Sequence, residues 1–333
     1  MPAGAGVVSP TTLNYAKQYS QALANAFPYS LYFGKLYATP TNGRYRWLNA
    51  KTIEIPTITT TGRVNASRDT IATAARNYDN AWETKTLTNE RKWSTLVHPM
   101  DVDQTNLVTT ISNITKTFNE FQKFPEMDAY TISKLYADYT ALDDPDKAAG
   151  TKRAASTTAL TKNNILAEFD AMMLKMDNKR VPVTGRVLYV TNEVNTILKR
   201  AQLDANNIIQ RQLGIESGPK GIDRRINRLD EVEIVPVPAE LMKTAYNFTQ
   251  GWAVGGSAKQ INMMLIHPLV VITPVSYSFA QLEAPSALSE GKWVYYEESF
   301  EDVFILNQQA DGIQFNVTDS NLVVTASTLA VGG

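Results

Sequence analysis

Residues 106–142 read NLVTTISNITKTFNEFQKFPEMDAYTISKLYADYTAL, the longest helical signal in the chain. Apolar side chains recur at Leu107, Ile111, Ile114, Phe118 and Phe121, a four-three spacing that lays one stripe along one helix face. Pro125 interrupts it: the ring removes an N–H and crowds the carbonyl of Phe121, so the pattern predicts a kink or brief break there. The stripe resumes on a shifted face at Ile132, Leu135, Tyr139 and Leu142. About 36 residues at ~1.5 Å each span roughly 54 Å. A helix that long, used once in a chain of mixed composition, reads as a spine on which other elements are hung.

The 333-residue sequence as a whole is that of a globular protein, with 44% hydrophobic and 20% charged residues and room for two or more domains. No apolar run approaches the ~18 residues of a membrane span. Residues 1–9 lack the basic region and apolar core of a signal peptide. Without cysteine there is no disulfide, thiolate nucleophile or Cys-ligated metal, and the chain is read as made in a cytoplasm. Net charge is −1, but its distribution is uneven. Residues 1–100 hold eleven Lys/Arg against five Asp/Glu, and the first 43 carry no acidic side chain, only Lys17 and Lys35. Such asymmetry fits an arm that lies on an acidic surface or near nucleic acid.

Upstream of the spine the pattern changes twice. Residues 1–43 read as an arm: a short helix over 11–26, then extended chain with exposed aromatics at Tyr29, Tyr32, Phe33 and Tyr37, destined to dock on this subunit or the next. Residues 44–97 read as a long hairpin. Ile53 and Ile55 alternate with Thr52 and Glu54, Pro56 favours an edge strand, and a second strand runs over 82–88 and on through 93–97. Arms of about 15–20 residues at ~3.3 Å each reach roughly 50–65 Å. An isolated two-stranded hairpin is marginal in water, and the chain offers little spare apolar surface to hold this one. That mismatch points to a neighbouring subunit.

Downstream, Asp143, Asp144 and Asp146 end the spine and 147–156 reads as a loop. The pattern then predicts a helix over 163–177, a buried strand over 186–190, a helix from Asn192, and strands over 229–237, 261–267 and 269–273. Antiparallel strand signals follow at 274–282, 293–298, 303–306 and 313–317, with a small, mobile tail after that. Helices packed on a sheet, then a return to antiparallel strands, make the class α/β or α+β.

Basic arm, long hairpin, spine, sheet-and-helix domain, return of strands beside the spine: that order resembles the major capsid proteins of tailed bacteriophages, whose fold is shared with bacterial encapsulin shells. Local wording agrees. Trp82-Glu-Thr-Lys-Thr-Leu-Thr-Asn-Glu-Arg91, then Met100-Asp-Val-Asp-Gln-Thr105, looks like the family's returning loop and its hand-over to the spine. Phe124-Pro-Glu-Met-Asp-Ala-Tyr130 is similar to the mid-spine signature, and Leu188-Tyr-Val-Thr-Asn-Glu-Val194 to a strand-to-helix step of the axial domain. Ile266-His-Pro-Leu-Val-Val-Ile-Thr-Pro274 and residues 297–315 look like peripheral-domain strands and the closing strand. The resemblance covers residues 10–317 and implies the α+β class, with an N-terminal arm (1–43), an extended hairpin loop (44–97), a peripheral domain with the spine (98–145 and 272–312), an axial domain (146–271 and 313–320) and a tail (321–333).

It further implies a structural, non-enzymatic subunit that assembles with itself into pentamers and hexamers of an icosahedral shell around double-stranded DNA. Expected partners are a separate scaffold protein, since no long charged extension precedes the arm, a portal protein, and packaged DNA through weak contacts. The place is the virion, after assembly in the host cytoplasm, with no membrane and no cofactor. Contact candidates between subunits are Arg63, Arg68, Arg76, Trp82, Lys85 and Arg91 on the hairpin, Glu120, Glu126 and Asp128 on the spine, and the basic cluster Lys220, Arg224, Arg225 and Arg228. Some members of the family cross-link Lys to Asn; Lys85 and Asn307 are residues of those types, without a predicted bond.

Catalytic patterns are weak. His98 and His267 each precede proline outside any metal-ligand spacing, and both read as structural. Asp101 with Asp103, and Asp143, Asp144 and Asp146, lack the glycine and distal glutamate of a calcium loop and fit helix capping. Glu297, Glu298, Glu301 and Asp302 read as an acidic patch. Residues 218–221 and 251–256 fail the phosphate-loop and dinucleotide patterns. Two rivals stand beside the capsid reading: an encapsulin-like compartment, and, more distantly, a small-molecule enzyme in the 151–271 domain, which would need a deep polar pocket there.

Overall fold

The computed structural model describes residues 31–63, 65, 76–104, 110–204 and 227–319. Its centre is a five-stranded sheet in the order Ile313–Thr318, Gln260–Ile266, Val187–Thr191, Val232–Val237, Arg228–Leu229. Val187–Thr191 runs parallel to Val232–Val237 and antiparallel to Gln260–Ile266. These strands read as continuous apolar runs because both faces are covered. Alternate residues serve opposite layers. Leu188 and Val190 pack with Phe169, Met172 and Met176 of helix Ile165–Asn178 and with Val194, Ile197 and Leu198 of helix Asn192–Asp204. Val187 and Tyr189 face the spine, where Ile132, Leu135 and Tyr139 are buried.

The spine is one helix with a change of winding. Ile111–Phe118 is α-helical, Asn119–Lys123 is a π turn, and Phe124–Ala141 is α-helical again. The π turn sits immediately before Pro125, where a residue without N–H cannot close the α pattern, so the break expected from the proline is a local rewinding. The stretch holding Leu107 lies outside the described residues. Stripe members Ile111, Ile114, Phe118 and Phe121 are only half-buried, in contrast to the deep second half.

A second sheet packs against that first half. Val275–Glu283, Trp293–Glu301 and Glu90–Val97 form it, all antiparallel. Trp93 stacks on Phe118 with ring centroids 3.8 Å apart, and Lys123 pairs with Glu297 at 3.1 Å. The strand expected over 93–97 therefore belongs to this sheet and not to the hairpin, which ends at Thr86. The hairpin itself is Thr52–Thr60 against Tyr78–Thr86, with Arg46–Asn49 as a third, short strand. Its described nine-residue strands span about 30 Å. Pro56 falls just beyond the stretch paired to Arg46–Asn49, so it stands on an open edge, as its missing N–H requires.

Two further expectations are corrected. The strand over 269–273 begins only at Val271, because Pro268–Val270 makes a 3-10 turn. The arm's described end is not an exposed extension: Phe33 and Leu36 are fully buried in the core shared by spine and sheet. The helix expected over 11–26, Tyr29 and the tail from 320 lie outside the described residues.

Candidate inter-subunit surfaces

The hairpin is rooted firmly and then left bare. At the root, Ile53, Ile55 and Leu87 join a small core with Ile272, Phe300, Phe304 and Leu306. Lys85 Nζ donates to Asn307 Oδ1 at 3.1 Å and lies 2.8 Å from Glu83. The two residue types that sequence could name but not join thus meet within one chain. Beyond Ile55 none of the described residues from 56 to 86 is buried, and Ile58 is 73% exposed. Trp82 stays largely exposed with the Arg46 guanidinium 4.3 Å from its ring, while Glu54 holds Arg46 at 3.0 Å. Arg63 and Arg76 are exposed near the tip, Arg76 lying 5.8 Å from the Tyr78 ring. Arg68 lies outside the described residues, as do Lys220, Arg224 and Arg225; Arg228 is exposed on its edge strand opposite Glu233.

Three other candidates are used inside the subunit. Arg91 Nε donates to Glu126 at 2.5 Å, and its other nitrogens donate to the carbonyls of Phe248 and Gly251, at 2.7 and 3.4 Å. That fork ties sheet, spine and the 246–254 turn together. Asp128 has no solvent-exposed surface: its carboxylate accepts the backbone N–H groups of Tyr32 at 2.8 Å and Phe33 at 3.1 Å. Burial takes it out of any contact set for other copies. Glu120 is half-buried on the spine, 3.9 Å from the exposed Lys116.

Sequence reasoning missed Asp302 as a tie. It is 2% exposed, and it accepts Tyr130 OH and its neighbour Val303 N at 2.8 Å, Thr88 N at 2.8 Å and Thr88 Oγ1 at 3.2 Å. The hairpin root, the spine and the second sheet meet at that one carboxylate. Beside it lies a cleft of about 320 Å³ lined by Trp93, Phe118, Tyr130, Glu126, Glu297 and Glu301, in which burial pushes the Glu301 carboxyl above the usual range.

The remaining polar patterns have local explanations. In both His-Pro steps the ring Nδ1 accepts the N–H two residues on, His98 from Met100 at 3.2 Å and His267 from Leu269 at 3.3 Å. His267 Nε2 also donates to Thr184 O at 3.2 Å, and burial holds its pKa below the ordinary value. Asp144 accepts the N–H of Asp146 at 3.1 Å, Asp143 pairs with Lys152 at 2.8 Å and Asp146 with Lys179. Among the described residues no cluster of His, Asp and Glu is arranged to hold a metal, and no helix is long and apolar enough to cross a membrane.

No family model and no curated protein matches the sequence. Solved structures do match the fold over nearly its whole length. The asymmetric unit of the bacteriophage PhiM1 mature capsid is 12% identical, covering 93% of each chain at a TM-score of 0.63. The capsid of cyanophage P-SCSP1u is 15% identical, covering 96% of this chain and 99% of that one at 0.60. A Ralstonia phage GP4 capsid chain is 9% identical over 96% and 99%, at 0.56. The chain has the mixed α+β fold of tailed-phage major capsid proteins, reached with almost no shared sequence.

Proposed function

We propose that this chain is the major shell-building subunit of a tailed-phage capsid, a structural and non-catalytic protein that assembles with itself into pentamers and hexamers around double-stranded DNA. The observation that carries the proposal is the hairpin: a root buried in a small core, and beyond it a ribbon with aromatic and β-branched side chains, none of whose described residues is buried. A ribbon of that kind is stable only when laid on another surface. An adjacent copy supplies that surface, with Arg63 and Arg76 reaching acidic side chains such as its Glu120. Several such contacts per subunit exceed the ~1,600 Å² of a standard interface, so each can be weak and correctable while the closed lattice is held by their number.

In this reading residues 98–145 with 272–312 form the peripheral domain and 146–271 with 313–320 the axial domain, and the core under the spine draws on both. The further partners are a scaffold protein, a portal and the packaged DNA, and the location is the virion. Deleting 56–80 is expected to leave a folded monomer or capsomer that forms no shells. Wild-type-like particles from that deletion in negative-stain electron microscopy would refute the clasp. Nuclease-sensitive nucleic acid inside wild-type particles separates a capsid from a cargo-carrying compartment.

A further inference from the structure

The described end of the arm is a strap. From Tyr32 to Thr41 it crosses the spine and reaches the far strands through side-chain bonds spanning long stretches of sequence. Tyr37 OH bonds Thr131 Oγ1 at 2.7 Å, Thr39 Oγ1 donates to Val271 O at 3.2 Å and Thr41 Oγ1 to Leu269 O at 3.1 Å. Phe33 packs on Tyr189 with centroids 4.8 Å apart. At the strap's start stands Asp128, fully buried, with its two carboxylate oxygens each taking one of two successive backbone N–H groups.

We propose that Asp128 is the positioning residue of the strap: its carboxylate captures the backbone at Tyr32 and Phe33 and so fixes the register and heading with which residues 32–41 cross the spine. Other members of the strap are hydroxyls, apolar groups and the half-exposed Lys35–Glu233 ion pair, which tolerate sliding. Two N–H groups on two oxygens of one carboxylate do not: that pairing defines register and heading together. A carboxylate without solvent contact needs those donors as much as they need it, since a buried charge stripped of hydrogen bonds is strongly disfavoured. Strap and spine are therefore mutually dependent, and the strap docks as a unit. The consequence for assembly rests on the shell reading above; the latch itself belongs to the single subunit.

The test uses the full chain as unassembled subunits. In Asp128→Asn one oxygen becomes an amide N–H facing a backbone N–H. Hydrogen exchange of the amides at 32–37 is expected to become about tenfold faster while the strands at 187–191 and 260–266 keep their protection. Tyr32→Pro removes a donor from the opposite side without touching the spine and is expected to loosen the same segment, whereas Thr131→Val, which loses the Tyr37 bond and a bond to Met127 O within the helix, leaves 32–33 protected. Unchanged exchange at 32–37 in both Asp128→Asn and Tyr32→Pro overturns the latch. So does loss of strap and sheet protection together in Tyr32→Pro, which would make the contact part of the core and nothing more. In co-expressed particles the Asp128→Asn shells are expected to be irregular in size by electron microscopy; regular shells overturn the assembly consequence. If the wild type itself makes no particles, the shell reading fails while the exchange result still decides the latch.

Discussion

Asp302 and His267 are single side chains whose chemistry is set by neighbours far away in sequence. Replacing Asp302 by Ala strands the Tyr130 hydroxyl and the Thr88 and Val303 N–H groups in a buried place. The expected cost is about 3 kcal/mol, read as a lowered urea midpoint at unchanged slope. His267 gives a pH signature. Burial lowers its folded pKa below the unfolded value of ~6.5, so the folded state binds fewer protons in that window. Stability is then highest above ~6.5, falls as pH drops below it, and levels off under the folded pKa. The melting temperature is expected to decline between pH 7 and 5 more in the wild type than in His267→Gln. With two histidines in the chain, NMR titration assigns the effect directly. The His-Pro pairs were readable as structural from sequence because their partner lies two residues on. Asp302 was not, since Thr88 and Tyr130 lie 214 and 172 positions away and acidic neighbours at 297, 298 and 301 disguise it as a patch.

Elements show the same division between local and distant causes. Helices Ile165–Asn178 and Asn192–Asp204 and most strands lie where periodicity puts them, because covered faces write their period into the residues. The hairpin's length was misread because Glu90–Val97 alternates like a hairpin strand, yet its partner is Trp293–Glu301, a pairing that no local pattern announces. The strap was misread for a related reason: aromatics without a period look like exposed arm until Tyr189 and the spine are brought beneath them. The bare half of the hairpin separates folding from assembly. Ile58 is paired to Asn80 in the ladder with its side chain in solvent. Ile58→Thr keeps a β-branched residue there, so the subunit's unfolding free energy is expected to change by less than about 0.5 kcal/mol. Particle yield, followed by sedimentation, is expected to fall sharply if, as proposed, an adjacent copy covers that side chain. A variant that loses both in parallel would place Ile58 in the subunit's own fold.

For the whole molecule, the order of parts was legible while no single motif was specific, as expected of a fold kept at 9–15% identity. What holds it together in this chain is a set of internal ties: the Asp128 strap, the Asp302 junction, the Arg91 fork, two apolar layers on one sheet. These are short, desolvated contacts that salt screens poorly. Contacts offered outward are of another kind, long basic side chains such as Arg63 and Arg76 on a solvated ribbon. The two sets should therefore respond differently to ionic strength. At 1 M salt the screening length shrinks to ~3 Å, against ~10 Å at 0.1 M, and exposed pairs worth ~0–1 kcal/mol each lose most of their value. A shell multiplies that loss over every subunit and every hairpin, whereas the isolated fold loses little. Light scattering is expected to show assembly slowing and its threshold concentration rising several-fold between 0.1 and 1 M sodium chloride, while the thermal midpoint of unassembled subunits shifts by only a few degrees. Assembly that is indifferent to salt would mean that the hairpin grips its neighbour through Ile58, Tyr78 and Trp82 alone, with the arginines as solvated bystanders.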